Sequence, residues 1–413
     1  MSVLVAQLGS RRHYAVPRAL HLRGLLRSLV TDLCSDVPPW VWAGMLPKAM
    51  RPVALRRLLG RSAEGVPPRL MHNLTGFALS PFLRRRNGER VTDFWARRNR
   101  AFCEAVLARG FDGAGTVYAF NAAALEIFQA AQRQGVETVL DQTAAPWRFN
   151  KDLLEEEARL WPGWEDSPSE IDASGALAKR EEAEWQLADR IVCGSAFASS
   201  AMAACGGDAG RCAVVPYSGH LRMSESDDPP SDGQSEPVRV LFMGTLQLRK
   251  GIQYLAEAEA KLRGDGIVFR AVGQSLLSPA AIAHMSGGIE VVGPVSRDRV
   301  ADQYRWADIF VLPTLSEGSA NVVYEAMAAG VPVVTTANAG SIVEHERTGL
   351  LVPMRDVDAL VTAIARLAGD SGLRRQLGQA GRAAVLAPDL ETYAGRLVHA
   401  LEPTHKPSAA AMQ

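Results

Sequence analysis

The sequence predicts an α/β protein made of two doubly wound, parallel-sheet domains of the Rossmann-like kind, with a cleft between them. Three observations indicate this architecture. Short apolar, β-branched runs alternate with helical patterns along most of the chain, as in β-α-β units. A polar, proline-bearing segment at 223–237 interrupts the alternation, which then starts again. The 413 residues also suggest two domains rather than one.

The first half, residues 1–222, contains the first series of predicted strands. They lie at 3–6, 115–120, 138–140, 190–193 and 213–216. Helical patterns at 122–135 and 178–188 separate some of them. Because strands that alternate with helices pair in parallel, these segments predict one parallel sheet.

The second half, residues 238–384, repeats the alternation after the linker. Its predicted strands lie at 238–243, 268–272, 289–292, 309–312 and 331–335, with helices between them. A final segment, 385–404, carries a helical pattern over 390–401, and the polar tail 405–413 is expected to add no element.

The composition argues against several classes of protein. The formal net charge is zero, so the whole molecule has no field that would attract nucleic acid. The five cysteines are odd in number and lack C-x-x-C spacing, which favours reduced thiols in a cytoplasmic protein. No uncharged apolar run approaches the length of about 18 residues that a transmembrane helix needs, and the apolar start is interpreted as a strand rather than a signal peptide. The eight histidines show no metal-binding spacing, so neither a metal nor a cofactor is expected.

One stretch of the first half is strongly basic. Residues 48–100 contain 13 Lys and Arg against 3 Asp and Glu. Such a stretch could make peripheral contact with an anionic membrane at the inner face of the cell membrane, or it could bind an acidic acceptor. The simpler alternative is a solvated basic face that acids elsewhere balance.

A loop of the second half carries the first candidate site residues. A predicted strand is followed by Glu317 and Gly318, and a helix is predicted to begin near Val322 with Ser319 or Asn321 as its cap. Such a loop lies at the carboxyl edge of a parallel sheet, where open α/β sheets bind ligands. The backbone N–H groups that would face this crevice and favour a phosphate are those of Ser319, Ala320, Asn321 and Val322.

Two carboxylates accompany this helix start. Glu317 precedes it, and Glu325, eight residues later, is placed by the pattern in its first turn. Carboxylates accept paired hydrogen bonds from vicinal diols, so Glu317 suits the hydroxyls of a sugar and Glu325 those of a ribose. The alternative is a pair of solvated acids that complement the helix dipole.

Basic residues that could face a phosphate follow the first strand of the second half. There the chain reads Gly244-Thr245-Leu-Gln-Leu-Arg249-Lys250-Gly251. Gly244 permits a close approach of the backbone to a ligand, and Arg249 and Lys250 bring positive charge to a helix start. Two anion sites beside two carboxylates on one sheet edge predict a pocket for a nucleoside diphosphate.

These motifs resemble those of the retaining GT-B glycosyltransferases of family 4. The resemblance is strong over 238–384 and weaker but traceable over 1–222. It is carried by the Glu317-x7-Glu325 pair with the Pro-Thr before it, by Gly244 to Gly251, by Val291-Val-Gly293-Pro-Val and by Gly349-Leu-Leu-Val-Pro.

The resemblance implies roles for residues at matching positions. Lys250, with Arg249 beside it, would grip the donor diphosphate, Glu325 would bind the ribose and Glu317 the sugar hydroxyls. The segment that would bind the base through backbone atoms is Gly293, Pro294 and Val295. The helix over 390–401 resembles the one that crosses back onto the first domain.

Other positions differ from the family pattern or extend it. Thr245 stands where most relatives have an arginine just after the glycine. Asp141 and Gln142 end a predicted strand where many relatives have a histidine beside the reacting sugar, so either one is expected to take that place. Gly9 and Arg12 lie in the first loop, where relatives contact the donor; the alternative is a basic loop without a ligand.

The resemblance implies the transfer of a hexose-type sugar from a nucleoside-diphosphate sugar, such as a UDP-sugar, to a carbohydrate or lipid-linked acceptor. The resemblance further implies retention of anomeric configuration, catalysis without a metal and a place in polysaccharide or glycolipid biosynthesis. A nucleotide-sugar epimerase is one alternative and would act on the donor alone. A non-catalytic GT-B protein that keeps the nucleotide pocket is the other, because a fold does not prove a function.

Overall fold

The structure is a computed structural model that describes residues 1–44, 51–52, 55, 58–80, 84–166, 174–217, 237–296 and 299–402. Of the predicted linker 223–237, only Pro237 is among the described residues. The predicted tail 405–413 and parts of the basic stretch 48–100 also lie outside them.

The first half folds into a sheet of seven parallel strands. Its strands are β1 Val3–Gln7, β2 Leu26–Thr31, β3 Met71–Asn73, β4 Thr116–Phe120, β5 Glu137–Gln142, β6 Arg190–Cys193 and β7 Cys212–Val214. They are arranged in the order β3-β2-β1-β4-β5-β6-β7. The order reverses between β1 and β4, so the carboxyl ends of these two strands border a crevice.

The second half folds into a sheet of six parallel strands. Its strands are β8 Val238–Met243, β9 Ile267–Val272, β10 Ile289–Gly293, β11 Ile309–Leu312, β12 Val333–Thr336 and β13 Leu350–Val352. Their order is β10-β9-β8-β11-β12-β13, which reverses between β8 and β11. The prediction of two doubly wound parallel sheets is therefore confirmed.

Helices of the first half cover both faces of its sheet. The described helices there are α1 Ala15–Leu22, α2 Trp40–Ala43, α3 Thr75–Ala78, α4 Val91–Arg109, α5 Leu125–Arg133, α6 Trp147–Leu160, α7 Ala176–Leu187 and α8 Ala196–Ala204. Every residue of β1 and β4 is buried, because helices cover these strands on both faces. Both strands are accordingly near-continuous apolar runs in the sequence.

The helices of the second half, except the last of them, pack around the other sheet. They are α9 Ile252–Leu262, α10 Pro279–Met285, α11 Val300–Trp306, α12 Asn321–Ala328, α13 Val357–Gly369, α14 Ser371–Leu386 and α15 Leu390–Leu401. Among the described residues, no helix combines the length and the apolar character needed to cross a bilayer.

Two helices pack on the sheet of the other half. Helix α6 belongs to the first half in sequence, yet its Leu153 joins the core of the second sheet. Helix α15 follows the second sheet, yet its Tyr393 and Leu397 are buried in the core around β1 and α1. The salt bridge between Arg23 and Glu391, 2.8 Å long, lies at the same contact. The halves are therefore joined by exchanged helices as well as by the linker.

Candidate functional site

A cavity of about 590 Å³ lies where the two sheets face each other. Its walls are the loops that follow β1, β4, β5 and β11, together with Arg249 after β8 and Trp95, Arg98 and Asn99 of α4. Because both sheets reverse their strand order at these loops, the cavity occupies the switch points of two doubly wound sheets. We refer to it as the cleft.

On the second-sheet wall, three predicted residues come together. The Arg249 Nη1 atom lies 2.8 Å from Glu317 Oε1, and Lys250 Nζ forms an ion pair with the same oxygen. Arg249 Nη1 also donates to the carbonyl oxygen of Ser316 at 2.6 Å. Burial by itself raises the pKa of Glu317, but the charges of Arg249 and Lys250 outweigh it and leave the pKa below its usual value. The wall thus holds two cations against one ionised carboxylate.

The glycine before these cations is required by its backbone conformation. Gly244 has φ of +144°, a region that L side chains rarely adopt, and Thr245 beside it is half-buried. A Cβ atom at Gly273, on the neighbouring strand end, would lie 1.8 Å from the Gly244 carbonyl oxygen. The loop is therefore closely packed before it reaches Arg249.

The start of α12 differs from the sequence prediction. The residue at the cap position is Ala320, so neither Ser319 nor Asn321 caps the helix, and Ser319 Oγ instead donates to the Tyr324 hydroxyl at 3.1 Å. The Ala320 N–H donates to the Ala339 carbonyl oxygen at 2.9 Å, which removes it from the predicted phosphate donors. The prediction of phosphate donors at this helix start therefore rests on the N–H groups of Ser319, Asn321 and Val322.

Glu325 lies in the second turn of α12 rather than the first. Its Oε2 atom accepts a hydrogen bond of 2.9 Å from the Tyr304 hydroxyl, which fixes the carboxylate on the second-sheet half. Gly293, Pro294 and Val295 lie at the end of β10 and just after it, at the edge of the same sheet, and Gly293 has φ of +79°. Neither Glu325 nor this segment lines the cleft itself.

On the first-sheet wall, the structure places Arg11 rather than Arg12 in the cleft. Gly9 lines the cleft with φ of +79°, and Arg11 Nη1 donates to Thr143 Oγ1 at 2.8 Å. Arg12 turns away, because its left-handed φ of +51° directs it to a buried salt bridge of 3.1 Å with Asp141. Its guanidinium carbon also lies 3.0 Å from the ring centroid of Tyr217. The prediction that Arg12 faces a ligand in the cleft is therefore corrected, because Arg11 is the arginine of this loop that lines the cleft.

Asp141 and Gln142 do not line the cleft either. Asp141 is fully buried and accepts a hydrogen bond of 2.7 Å from the Tyr118 hydroxyl in addition to its pairing with Arg12. Gln142 is also fully buried, with Nε2 donating to Glu181 Oε1 at 2.8 Å and Oε1 accepting from Trp185 Nε1 at 2.9 Å. Both side chains serve the interior of the first half, which corrects the expectation that one faces the reacting sugar.

Sequence reasoning missed several polar residues that do line the cleft. Asn121 and Thr143 follow β4 and β5, and the Thr143 hydroxyl donates to Asn121 Oδ1 at 2.7 Å. Asp32, Arg61 and Arg98 line the cleft as well. The sequence contained an indication for four of these five residues. Asn121 and Thr143 lie just beyond predicted strands, and Arg61 and Arg98 belong to the basic stretch 48–100.

The two walls touch at the loop that follows β11. Ser195 Oγ of the first half donates to the Gly318 carbonyl oxygen at 2.6 Å, and Ser316 Oγ donates to Asn150 Oδ1 at 2.6 Å. A Cβ atom at Gly318 would lie 1.8 Å from the Thr143 carbonyl oxygen, so only glycine fits there. Among the residues described, no group of three or more His, Cys, Asp and Glu side chains could hold a metal ion.

Comparison with known proteins finds a family model and curated relatives that resemble the second half. Residues 237–370 match the family model of the glycosyl transferases group 1. A D-inositol 3-phosphate glycosyltransferase of Xylanimonas cellulosilytica is 35% identical over 155 residues, which cover 35% of this chain and 37% of that protein. A GDP-mannose-dependent alpha-(1-6)-phosphatidylinositol monomannoside mannosyltransferase of Mycobacterium tuberculosis is 33% identical over 168 residues, which cover 37% and 44%. The match thus spans about two fifths of the length of these curated relatives.

Solved structures match the whole architecture. A sucrose-phosphate synthase from Thermosynechococcus elongatus superposes with a TM-score of 0.62 at 20% identity, over 97% of this chain and 99% of that one. Anabaena HepE in complex with UDP superposes with a TM-score of 0.58 at 15% identity, again over 97% and 99%. The chain has the GT-B fold. At these identities the likeness concerns the fold, and the cleft described above is the interdomain cleft of that GT-B fold.

Proposed function

We propose that the protein is a glycosyltransferase that moves a sugar from a nucleoside-diphosphate sugar to an acceptor bound in the cleft. The observation that carries the proposal is that Arg249 and Glu317 line a cleft between two switch points, with Lys250 paired to the same Glu317 carboxylate. The group 1 family model over 237–370 and the strand order of both sheets support it.

The cations have a direct role in this proposal. As the bond between the sugar and the diphosphate breaks, negative charge develops on the leaving diphosphate, and preorganised cations stabilise that charge more than the ground state. Without donor, Arg249 and Lys250 are paired with Glu317. A bound diphosphate would take over both cations and leave the Glu317 carboxylate to accept hydrogen bonds from sugar hydroxyls.

We further propose retention of configuration, a hexose-type sugar and transfer without a metal. Retention rests on the resemblance of the Glu317-x7-Glu325 pair to family 4. Independence from a metal is supported by Arg249 and Lys250, which can supply the positive charge that a divalent ion would otherwise bring. Two relatives have names that give inositol phosphate and a phosphatidylinositol mannoside as their substrates, which supports a cell-surface or glycolipid pathway.

The first test is a thermal-shift titration with UDP, GDP and ADP and their sugar conjugates, with and without a chelator. A ligand that binds only the folded state raises the melting temperature. We expect a shift with one base that persists with chelator. Absence of a shift with every nucleotide would overturn the proposal. A shift that the chelator abolishes would overturn only its metal-independent part.

The second test removes the charged groups of the second-sheet wall. Lys250→Ala and Glu317→Ala are expected to remain folded and to lower transfer by a factor on the order of 10² or more, because each loses an interaction with the reacting substrate. Lys261→Ala is the matched control, since Lys261 pairs with Asp358 on the surface of the same half. Transfer close to wild type in either site variant would refute the site, and donor conversion without any acceptor would indicate an epimerase.

A further inference from the structure

The first-sheet wall of the cleft has more positive charge than the residues around it neutralise. Arg11, Arg61 and Arg98 line this wall, and Asp32 is the carboxylate that lines it with them. The donor diphosphate of the proposed function is bound by Arg249 and Lys250 on the opposite wall. The three arginines are therefore left for a different part of the reacting pair.

Asp32 is already saturated by its neighbours. Its Oδ1 atom accepts from the Gly9 N–H at 2.9 Å and from the Thr31 hydroxyl at 3.2 Å. Its Oδ2 atom lies 3.0 Å from Arg61 Nη1 and 3.7 Å from Arg98 Nη2. Two guanidinium groups thus share one carboxylate oxygen, and each has five N–H donors, most of which Asp32 cannot use.

Arg11 adds a third positive charge to this wall, and this charge has no carboxylate partner among the described residues. Its side chain donates to Thr143 Oγ1, and no carboxylate of the described residues lies within salt-bridge distance of it. Burial lowers the pKa of its guanidinium from the usual value. A partly buried guanidinium without an ion pair is costly, and an anion in the cleft would remove that cost.

The aromatic ring beside these cations indicates what the anion is attached to. Trp95 also lines the cleft and keeps 39% of its surface exposed, although it is large and apolar. Its position one turn before Arg98 on α4 sets a flat apolar face next to the guanidinium, whose carbon lies 5.3 Å from the ring centroid. An aromatic face next to fork-shaped donors suits a ring with hydroxyl groups that bears a phosphate.

We infer that the acceptor is a phosphate-bearing polyol, and that Arg61 and Arg98, which share Asp32, bind its phosphate, with Arg11 on the same wall of the cleft. The inference rests on the proposed function, because it assigns the acceptor of that reaction. Arginine is suited to this task since its planar donors match phosphate oxygens in pairs. The phosphate could belong to a soluble sugar or cyclitol phosphate or to the headgroup of a lipid.

The test measures phosphate binding while the donor site is blocked. Protein saturated with the nucleoside diphosphate found by thermal shift is titrated with inorganic phosphate, and binding is followed by broadening of the free phosphate signal in phosphorus NMR. We expect broadening with the wild-type protein. Arg61→Gln and Arg98→Gln are each expected to weaken binding about tenfold or more, because each removes charge-assisted hydrogen bonds to the anion.

Arg100→Gln is the matched control for this experiment. It lies on the same helix as Arg98, but its side chain is 68% exposed and pairs with Glu104 at 3.1 Å. The control should bind phosphate like the wild type, and all variants should keep their affinity for the nucleotide. Wild-type protein that binds nucleotide but does not broaden the phosphate signal would overturn this inference alone. Wild-type protein that binds no nucleotide would overturn the proposed function.

A second arm distinguishes the two sources of the phosphate. Inositol phosphate and glucose 6-phosphate are compared with inositol and glucose, and phosphatidylcholine vesicles with phosphatidylinositol are compared with vesicles of phosphatidylcholine alone. Binding of soluble polyol phosphates that is lost in Arg98→Gln would identify a soluble acceptor. Arginine-dependent binding of the phosphatidylinositol vesicles without binding of the soluble compounds would identify a lipid headgroup. Equal binding of phosphorylated and neutral polyols would overturn the inference.

Discussion

Arg11 and Arg12 are neighbours in the chain, but their side chains have different surroundings. Arg12 has a left-handed backbone, its side chain is 7% exposed and it is paired with the fully buried Asp141. Arg11 points into the cleft and donates to a hydroxyl group of Thr143. A ligand would therefore meet Arg11, while Arg12 holds the interior of the first half together.

Substitution of the two arginines should separate these roles. Arg12→Gln is expected to lower the free energy of unfolding by about 3–5 kcal/mol, because it leaves a buried carboxylate without its charge partner. Arg11→Gln should change it by only about 1 kcal/mol, since it replaces one hydrogen bond to a hydroxyl. Urea denaturation of both variants measures the difference. Equal effects would contradict the assignment of Arg12 to the interior.

Glu181 predicts a dependence of stability on pH. Burial raises its pKa to about 7, although Gln142, Trp147 and Asn121 donate hydrogen bonds that oppose the shift. The folded protein therefore keeps a proton that the unfolded chain releases near the usual value of 4.5. Since the folded state then binds more protons, this group makes the protein less stable as pH rises from 4.5 to about 7, and no further change follows above that.

The comparison of wild type with Glu181→Gln isolates this effect. The wild-type free energy of unfolding, measured in urea across that pH range, should fall relative to that of the variant, because a glutamine side chain has no proton to lose there. The absolute stability of the variant is not the test, since its amide also changes the hydrogen bond from the Trp147 N–H. Parallel pH profiles for the two proteins would contradict the raised pKa of Glu181.

The sequence alone locates correctly those site residues whose position depends only on where a strand ends. Arg249, Lys250 and Glu317 lie in loops after β8 and β11, and parallel strands bring such loops to one edge. Asp141 and Gln142 also end a strand, but whether Gln142 faces the cleft depends on α7. That helix supplies Glu181 and Trp185 as buried partners for Gln142. No local pattern in the sequence indicates this tertiary contact.

At the scale of elements, α6 connects its own half to the other one. Glu157 on this helix is fully buried and accepts hydrogen bonds from Gln253 at 2.8 Å, from the Tyr254 hydroxyl at 2.8 Å and from Arg355 at 2.7 Å. All three donors belong to the second half. The helix therefore packs on the second half through a buried, fully paired carboxylate.

Removal of this carboxylate should loosen the helix. Glu157→Ala is expected to destabilise the protein by about 3–5 kcal/mol, because three donors around a buried position lose their acceptor. The control is Glu155→Ala on the same helix, whose carboxylate is half-exposed and lies 3.7 Å from Lys151. Hydrogen exchange of α6 and urea denaturation measure both effects. Similar values for the two variants would argue against a buried attachment.

The predicted elements agree with the structure where the pattern is long and apolar, and the missed ones are short or mixed. The strand at 238–243 and the helix at 390–401 have the predicted bounds. The strands β2, β3 and β13 were not predicted. β2 contains an exposed Arg27, and β3 and β13 are three residues long and lie at sheet edges, so neither has a detectable period.

At the scale of the whole molecule, two doubly wound halves follow from the sequence, but the way they dock does not. The docking depends on Gly318, whose Cα atom faces the Thr143 carbonyl oxygen and the Ala144 backbone of the other half. It also depends on hydrogen bonds such as that of Ser195 to Gly318. These partners are far apart in the chain, and nothing in their local sequence distinguishes them from other loop residues.

Gly318→Ala tests whether this contact sets the width of the cleft. The added Cβ atom would lie 1.8 Å from the Thr143 carbonyl oxygen and 2.6 Å from the Ala144 Cα atom, both of them backbone, so one wall must move. A displacement of about 1 Å between the walls can lower transfer by a factor on the order of 10², because the acceptor and donor no longer meet in a reactive geometry. Nucleotide affinity should change little, since Arg249 and Lys250 stay together on one wall.

Three measurements on this variant separate a wider cleft from a damaged fold. Small-angle scattering should give a larger radius of gyration, transfer should fall and the nucleotide thermal shift should persist. Gly369→Ala is the matched control, because a Cβ atom there meets no atom within 4 Å and the residue ends α13 in the same half. If transfer survived in Gly318→Ala, the contact of Gly318 with Thr143 would not set the width of the cleft that the reaction needs. The two halves would then reach the reactive geometry, with Arg249 on one wall and Arg11 on the other, without this contact.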